Sequence, residues 1–278
     1  MHGDDYFSSG LQANLDWLEG ELAASYEIQT QKIGAGEGCV QEGKVLNRIV
    51  RYTDQGWQLE ADPRHSELII EQLGVGGGKA VVILGIDDDD DESVEVDIEG
   101  ADATRFRGVA ARCNYLAFDR PDIQFATKEV CREMSRPTTG SLRRLKRIGQ
   151  YLRGKPRLVW NYEMQMPCDI IDVYTDSNWA GCHRVRKSTS GGVAMIGSHC
   201  IKSWSKTQAV IAKSSAEAEL YAVVRGGTEG LGMITLMADM GKLSRLQLHL
   251  DATAAKGIIE RRGLSKVRHV DVNVLWLQ

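Results

Sequence analysis

Long hydrophobic runs are absent from this chain. No apolar stretch approaches the roughly 20 residues that cross a bilayer, so the sequence offers no membrane-spanning helix. The N-terminus, MHGDDYFSSG, lacks the basic-then-apolar order of a signal peptide. Cysteine is present but unpatterned. Cys39, Cys113, Cys131, Cys168, Cys182 and Cys200 show no CxxC pair and no zinc-like spacing. They read as reduced thiols in an intracellular protein, cytoplasmic or nuclear. No internal repeat is visible. What remains is an ordinary globular composition over 278 residues, 42% of them hydrophobic, enough for two domains of common size.

Charge of one sign is missing from one stretch and nearly so from another. Asp87 to Asp102, DDDDDESVEVDIEGAD, contains no basic residue, and Arg132 to Arg157 contains Glu133 as its single acid. The net charge of -4 averages these blocks away, so the blocks carry more information than the total. With the glycine-rich LGVGGGKA before it, the acidic block reads as a solvated linker over 74–102. The basic block is either a solvated helix face or a phosphate-binding face, since Lys and Arg release counterions from a nucleic-acid backbone.

Before the linker, Leu11, Leu15, Leu18 and Leu22 recur at helical spacing over Leu11–Tyr26. VLNRIVRYTDQGWQLEAD reads as a hairpin turning at Asp54-Gln55-Gly56. Pro63 then opens a helix that Gly74 ends. After the linker, Thr104 to Ser135 reads as helix broken at Asp119-Arg120-Pro121. Ser141 to Leu152 is a second helix, apolar on one side through Leu142, Leu145, Ile148 and Leu152, with Arg143, Arg144, Lys146 and Arg147 off that stripe.

From Asp169 the pattern changes. DIIDVYTD is a strand, and SGGVAMIGSHCIKSWSK is two more around Gly197-Ser198. A long helix follows, then the strand RLQLHLD and the helix ATAAKGIIERRG. KVRHVDVNVLWLQ is ambiguous between strand and helix. The order suggests a mixed sheet with helices packed on it.

Two of these strands end on an aspartate, Asp176 and Asp251. A turn-forming Asp is the plain reading of each. If the strands are parallel neighbours, however, both carboxylates lie at the carboxyl rim, where sites form in open α/β sheets. The long helix starts with Ser214-Ser215-Ala216-Glu217, a capping-box pattern that occupies Glu217. Glu219, about 200° further round the helix, cannot share that task. It lies at the edge of the stripe made by Leu220, Val223 and Val224. Three carboxylates brought together repel unless a cation neutralises them. Hard oxygen ligands suit Mg²⁺ or Mn²⁺.

These residues carry a resemblance. YTDSNWAGC with RKSTSGG, then SWSKTQ with AKSSAEAELYA, then LHLDATAA, then RHVDV, resemble in order the ribonuclease H domain of copia-type retrotransposon polyproteins, over about 169–278. The resemblance implies an α/β RNase H-like fold, a five-stranded mixed sheet with flanking helices. It also implies that Asp176, Glu219 and Asp251 are the catalytic metal ligands. Two Mg²⁺ or Mn²⁺ ions would then serve hydrolysis of the RNA strand of an RNA–DNA hybrid.

Upstream, RFRGVAARCNYLAFDRPDIQFATKEVCREMSRPTTGSLRRLKRIGQYLRG resembles the helical segment after the family's polymerase palm. HGDDYFSSG resembles the polymerase's x-x-D-D hairpin, with Asp4 and Asp5 in the metal-binding places. The expected order is a mostly helical reverse-transcriptase palm and thumb remnant at 1–73, the linker at 74–102, a basic connection segment at 103–165, and the RNase H-like domain at 166–278.

A third polymerase aspartate and the fingers precede that hairpin in the family. The expectation is therefore no polymerase activity from this chain, with Asp4 and Asp5 as relics. The family's final strand and its helix bearing a fourth aspartate follow RHVDV, so that position is in question, with Asp271 the nearest stand-in.

Arg143, Arg144, Lys146 and Arg147 would grip backbone phosphates without reading sequence. Ser188, Thr189 and Ser190 are either turn caps or 2′-hydroxyl contacts. His183, His199 and His269 read as surface or packed histidines, and Trp179 and Trp204 as core aromatics. Partners expected are RNA–DNA hybrid, the nucleic-acid backbone and other parts of a polyprotein, without a membrane. Two other readings stand beside the nuclease: a catalytically inactive nucleic-acid-binding remnant, and a DNA-processing enzyme such as an integrase or resolvase. The SSAEAEL and RKSTSGG context argues against the last.

Overall fold

The computed structural model describes residues 6–85, 95–182, 185–261 and 276–277. Its contacts divide the chain into two compact units. One gathers the described residues up to Val82 with Gly149–Met164, and the other gathers Ile83–Ile148 with the described residues from Gln165 onward. The described residues form a mixed α/β structure with two four-stranded sheets and seven helices. None of these helices is long and apolar enough to cross a membrane.

The first unit holds α1 (Gln12–Ala23), β1 (Glu42–Val45), β2 (Arg48–Thr53), β3 (Gly56–Glu60) and α2 (Pro63–Leu73). α2 has the expected ends. Asp62 caps it by accepting from Arg64 N at 2.9 Å, Pro63 occupies the first turn, and Gly74 closes it at φ 67°. The leucine period in α1 does mark a helix, yet none of its residues is buried. The β2–β3 hairpin is also as expected. It belongs to a larger antiparallel sheet, β1-β2-β3-β4, whose last strand arrives from Val159–Glu163. Glu60 is buried in this unit, held by Arg51 at 2.7 Å and Arg157 at 2.6 Å.

The second unit opens with α3 (Gly100–Leu116) and α4 (Pro121–Cys131), separated at Ala117–Arg120 close to the expected break. α5 (Thr139–Gly154) follows, then β4 of the first unit. α5 is amphipathic as the spacing predicts, with Leu145, Ile148 and Leu152 fully buried. β5 (Ile170–Asn178), β6 (Thr189–Ile196) and β7 (His199–Thr207) form an antiparallel meander. α6 (Ser215–Asp239) then crosses over to β8 (Arg245–His249), which lies parallel to β5, and α7 (Thr253–Ile259) follows. The sheet order is β7-β6-β5-β8. The stretch 266–278, ambiguous between strand and helix from its sequence, lies outside the described residues apart from 276 and 277.

Alternation along β5 separates two faces. Ile171, Val173 and Thr175 are buried beneath α6, while Asp172, Tyr174 and Asp176 face the other way. Gly226 permits the close crossing of α6. A β-carbon there would run into Thr175 Cγ2 and lie 3.1 Å from Val173 Cγ1. Gly192 on β6 likewise leaves room for the Trp204 indole, which is buried in the core with Ile171, Val173 and Ala194. Trp204 is thus a core aromatic. Trp179 is not: it is 49% exposed, because its place just past β5 sends its indole to Ala212 O at 3.1 Å, over the lead-in to α6. All six cysteines are free thiols.

Candidate metal centre

The parallel pairing of β5 with β8 sets the two aspartates side by side. Ile170 pairs with Arg245 and Tyr174 with His249. Two residues further along the same register lie Asp176 and Asp251, at the same rim and on the same face. The third acid comes from the first turns of α6. Ser214 caps that helix, accepting from Glu217 N at 3.2 Å. Glu217 reaches back to Lys213 N at 2.9 Å, one residue before the cap itself. So Glu217 is committed to the helix start, and Glu219 points to the rim of β5.

There Glu219 is only 9% exposed. Its Oε1 accepts from Ser177 N at 3.1 Å and Ser177 Oγ at 2.7 Å. Its Oε2 is buried without a hydrogen-bond partner. Oxygens of Asp176, Glu219 and Asp251 all lie within 4.8 Å of one another. Burial pushes the Glu219 carboxyl above its ordinary range, and the charges of Asp176 and Asp251 push the same way against the bonds from Ser177. Burial and like charge thus oppose ionisation at a residue whose second oxygen has no donor.

A divalent ion suits that deficit. Magnesium–oxygen bonds of about 2.1 Å place opposed ligands about 4.2 Å apart, close to the span observed here. The three residues therefore fit a shared hard cation, the largely buried Glu219 and the exposed Asp176 and Asp251 each offering one carboxylate oxygen.

The remaining sequence candidates lie elsewhere. Arg143, Arg144, Lys146 and Arg147 are on α5, a different element from the three that carry the acids. Arg143 and Lys146 are exposed. Arg144 lies 3.7 Å from Glu95, and Arg147 donates to Ile83 O at 2.9 Å. Asp4, Asp5, Asp271, His183 and His269 are outside the described residues. His199 is half-buried on β7, 3.1 Å from Gln165.

The suggestion that Ser188, Thr189 or Ser190 meets 2′-hydroxyls is corrected, because all three are buried. Their hydroxyls accept from Ala180 N at 3.0 Å, from Lys128 Nζ at 2.6 Å and from Gln208 Nε2 at 3.0 Å respectively.

Sequence reasoning missed Ser177 and the cluster one step down the strand. His249 stacks on Tyr174 with ring centroids 4.3 Å apart and bonds Asp172 at 2.7 Å. Period-two counting back from Asp176 and Asp251 would have placed these side chains on the acids' face.

Comparison with known proteins now adds to this geometry. The chain is 34% identical over 143 residues, half its length, to the retrovirus-related Pol polyprotein from transposon RE1 of Arabidopsis thaliana. It is 27% identical over 161 residues to the Pol polyprotein from transposon TNT 1-94 of Nicotiana tabacum. Over that shared stretch the chain is a relative of copia-type retrotransposon Pol polyproteins. It spans about a tenth of the length of the RE1 polyprotein and 12% of the TNT 1-94 polyprotein. It is also 33% identical over 130 residues to the uncharacterized mitochondrial protein AtMg00810 of Arabidopsis thaliana, covering 53% of that protein. No protein-family model and no solved structure matches it.

Proposed function

We propose that this copia-type Pol relative carries a ribonuclease H-type centre that cleaves the RNA strand of RNA–DNA hybrids, with Asp176, Glu219 and Asp251 as its metal-holding residues. The observation that carries this reading is the convergence of the three acids within 4.8 Å of one another, one of them, Glu219, also holding a buried oxygen without a hydrogen-bond partner. The topology supports it: an antiparallel three-strand meander, a crossover helix and a parallel fourth strand match the order of an RNase H-like sheet.

Two Mg²⁺ or Mn²⁺ ions, held when bound by Asp176, Glu219 and Asp251, would supply an activated water and stabilise the departing 3′-oxygen. The chain's own part is to hold charge and shape. Ser177 fixes Glu219 through two hydrogen bonds, and the parallel register fixes the spacing of the aspartates. Arg143 and Lys146, exposed on α5, would meet backbone phosphates without reading sequence. The segments at 1–73 and 103–165 are read as a reverse-transcriptase-derived palm and thumb portion and a connection segment, with 74–102 as the linker between them.

The test is cleavage of an end-labelled RNA–DNA hybrid in Mg²⁺ or Mn²⁺. Asp176→Asn is expected to lower the rate by at least about a thousandfold, the equivalent of ~4 kcal/mol in barrier. Hybrid binding without cleavage by the unmodified chain would favour an inactive nucleic-acid-binding remnant. Cutting of duplex DNA alone would point to a DNA-processing enzyme.

A further inference from the structure

We propose that Gln208 is a positioning residue for Glu219, acting through the first turn of α6 and not through the substrate. Gln208 follows β7 and is 6% exposed. Its backbone N donates to Ser188 O at 2.8 Å, which fixes it to the start of β6. Its side-chain Nε2 donates twice, to Ser190 Oγ at 3.0 Å and to Ala218 O at 2.8 Å.

Each of these two acceptors neighbours a residue of the Glu219–Ser177 pair. Ala218 immediately precedes Glu219 on α6. Ser190 pairs across the sheet with Ser177, the residue whose N and Oγ hold Glu219 Oε1. The connections form a closed circuit: Glu219 to Ser177, across the ladder to Ser190, through the Gln208 amide to Ala218, and along the chain back to Glu219. One primary amide therefore couples the start of α6 to β6 and, across the ladder, to Ser177 on β5. A hydrocarbon of the same length would fill the space but join nothing.

Groups that orient ligands without touching the ion typically change metal affinity about 10–100-fold when removed. Its functional consequence rests on the nuclease reading, whereas the positioning itself is a property of the ion-free chain. The experiment uses the full 278-residue chain and two readouts. The substitution is Gln208→Met, which keeps length and burial and removes both donors. The first readout is the Ser177 backbone amide by NMR in the presence of chelator, since that proton reports its bond to Glu219. The second is Mn²⁺ affinity by calorimetry, with KM and kcat on hybrid.

The expected result is a shifted and faster-exchanging Ser177 amide, Mn²⁺ binding weakened at least about tenfold, and a lower kcat at unchanged KM. A folded Gln208→Met chain with the Ser177 amide unmoved and Mn²⁺ affinity retained overturns the proposal. If the unmodified chain binds no Mn²⁺ while the Ser177 amide still moves, the positioning role stands and the nuclease reading falls. If Gln208→Met does not fold, Ser190→Ala removes one acceptor alone. The Ser177 amide must then shift in the same sense, and an unmoved signal refutes the circuit.

Discussion

Replacing Asp176 by Asn should stabilise this protein without divalent ions and destroy its response to them. The three acids lie within 4.8 Å of one another. At that distance a pair of unit charges repels by about 0.9 kcal/mol in the dielectric of water and about 3.5 kcal/mol at an effective value of ~20. Asp176 and Asp251 are exposed, so the lower figure applies. Asp176 takes part in two pairs, with Glu219 and with Asp251, so its neutralisation relieves roughly 1–2 kcal/mol. For a chain of 278 residues that corresponds to a melting temperature about 2–4 °C higher in chelator.

Divalent ions invert the order. A cation bound only by the folded state adds about 2.7 kcal/mol at a hundred times its dissociation constant, and Asp176→Asn removes one of its three ligands. Differential scanning calorimetry at pH 8, in EDTA and in Mn²⁺, reads both effects. A lower melting temperature for Asp176→Asn in EDTA, or an undiminished gain in Mn²⁺, would refute the account of these carboxylates as a repulsive set awaiting a cation.

Three further outcomes follow from the same arrangement of side chains. Burial raises the Glu219 pKa above its ordinary 4.5, so its folded form holds a proton that the unfolded form has lost. That contribution to stability is full below pH 4.5 and disappears as pH rises through the raised value. In chelator, the stability difference between the unmodified chain and Glu219→Gln should therefore shift against the unmodified chain on going from pH 4 to pH 8, as followed by thermal melts. Gly226→Ala drives a methyl group into Thr175 on β5. It should cost about 1–3 kcal/mol by overpacking and weaken Mn²⁺ binding, because α6 carries Glu219. Arg143→Ala and Lys146→Ala should each lower hybrid affinity and reduce the salt slope of log K by about one, equally for unrelated hybrid sequences in filter-binding titrations.

The carboxylate cluster was legible because its determinants are local and periodic. Asp176 and Asp251 each close an apolar strand, and strand alternation fixes which face such a residue takes. A capping box occupies Glu217 and leaves Glu219 to the sheet. The only non-local step was the parallel pairing of β5 and β8, and a strand–helix–strand crossover makes that pairing the expected one. α2 was legible for the same reason, since Asp62, Pro63 and Gly74 announce its ends within the segment itself.

Other features depend on contacts that no local pattern encodes. β4 joins β3 through Trp57↔Tyr162 and Leu59↔Trp160, about a hundred residues apart in sequence, so the four-stranded sheet read as an isolated hairpin. Trp179 looked like a core residue because tryptophan is usually well covered. Its indole N–H instead needed an acceptor, and Ala212 O in the α6 lead-in supplies one. Ser188, Thr189 and Ser190 looked available because RKSTSGG is polar. Polarity there serves buried internal bonds, to Ala180, to Lys128 and to Gln208, the last some twenty residues downstream. A polar run beside a carboxylate rim is as apt to be the rim's internal scaffold as its contact surface, and burial separates the two. The Gln208→Met and Asp176→Asn chains therefore test complementary layers of one site. The first should disturb the Ser177 amide before any ion is added, whereas the second should leave the hydrogen bonds from Ser177 to Glu219 in place and remove only charge.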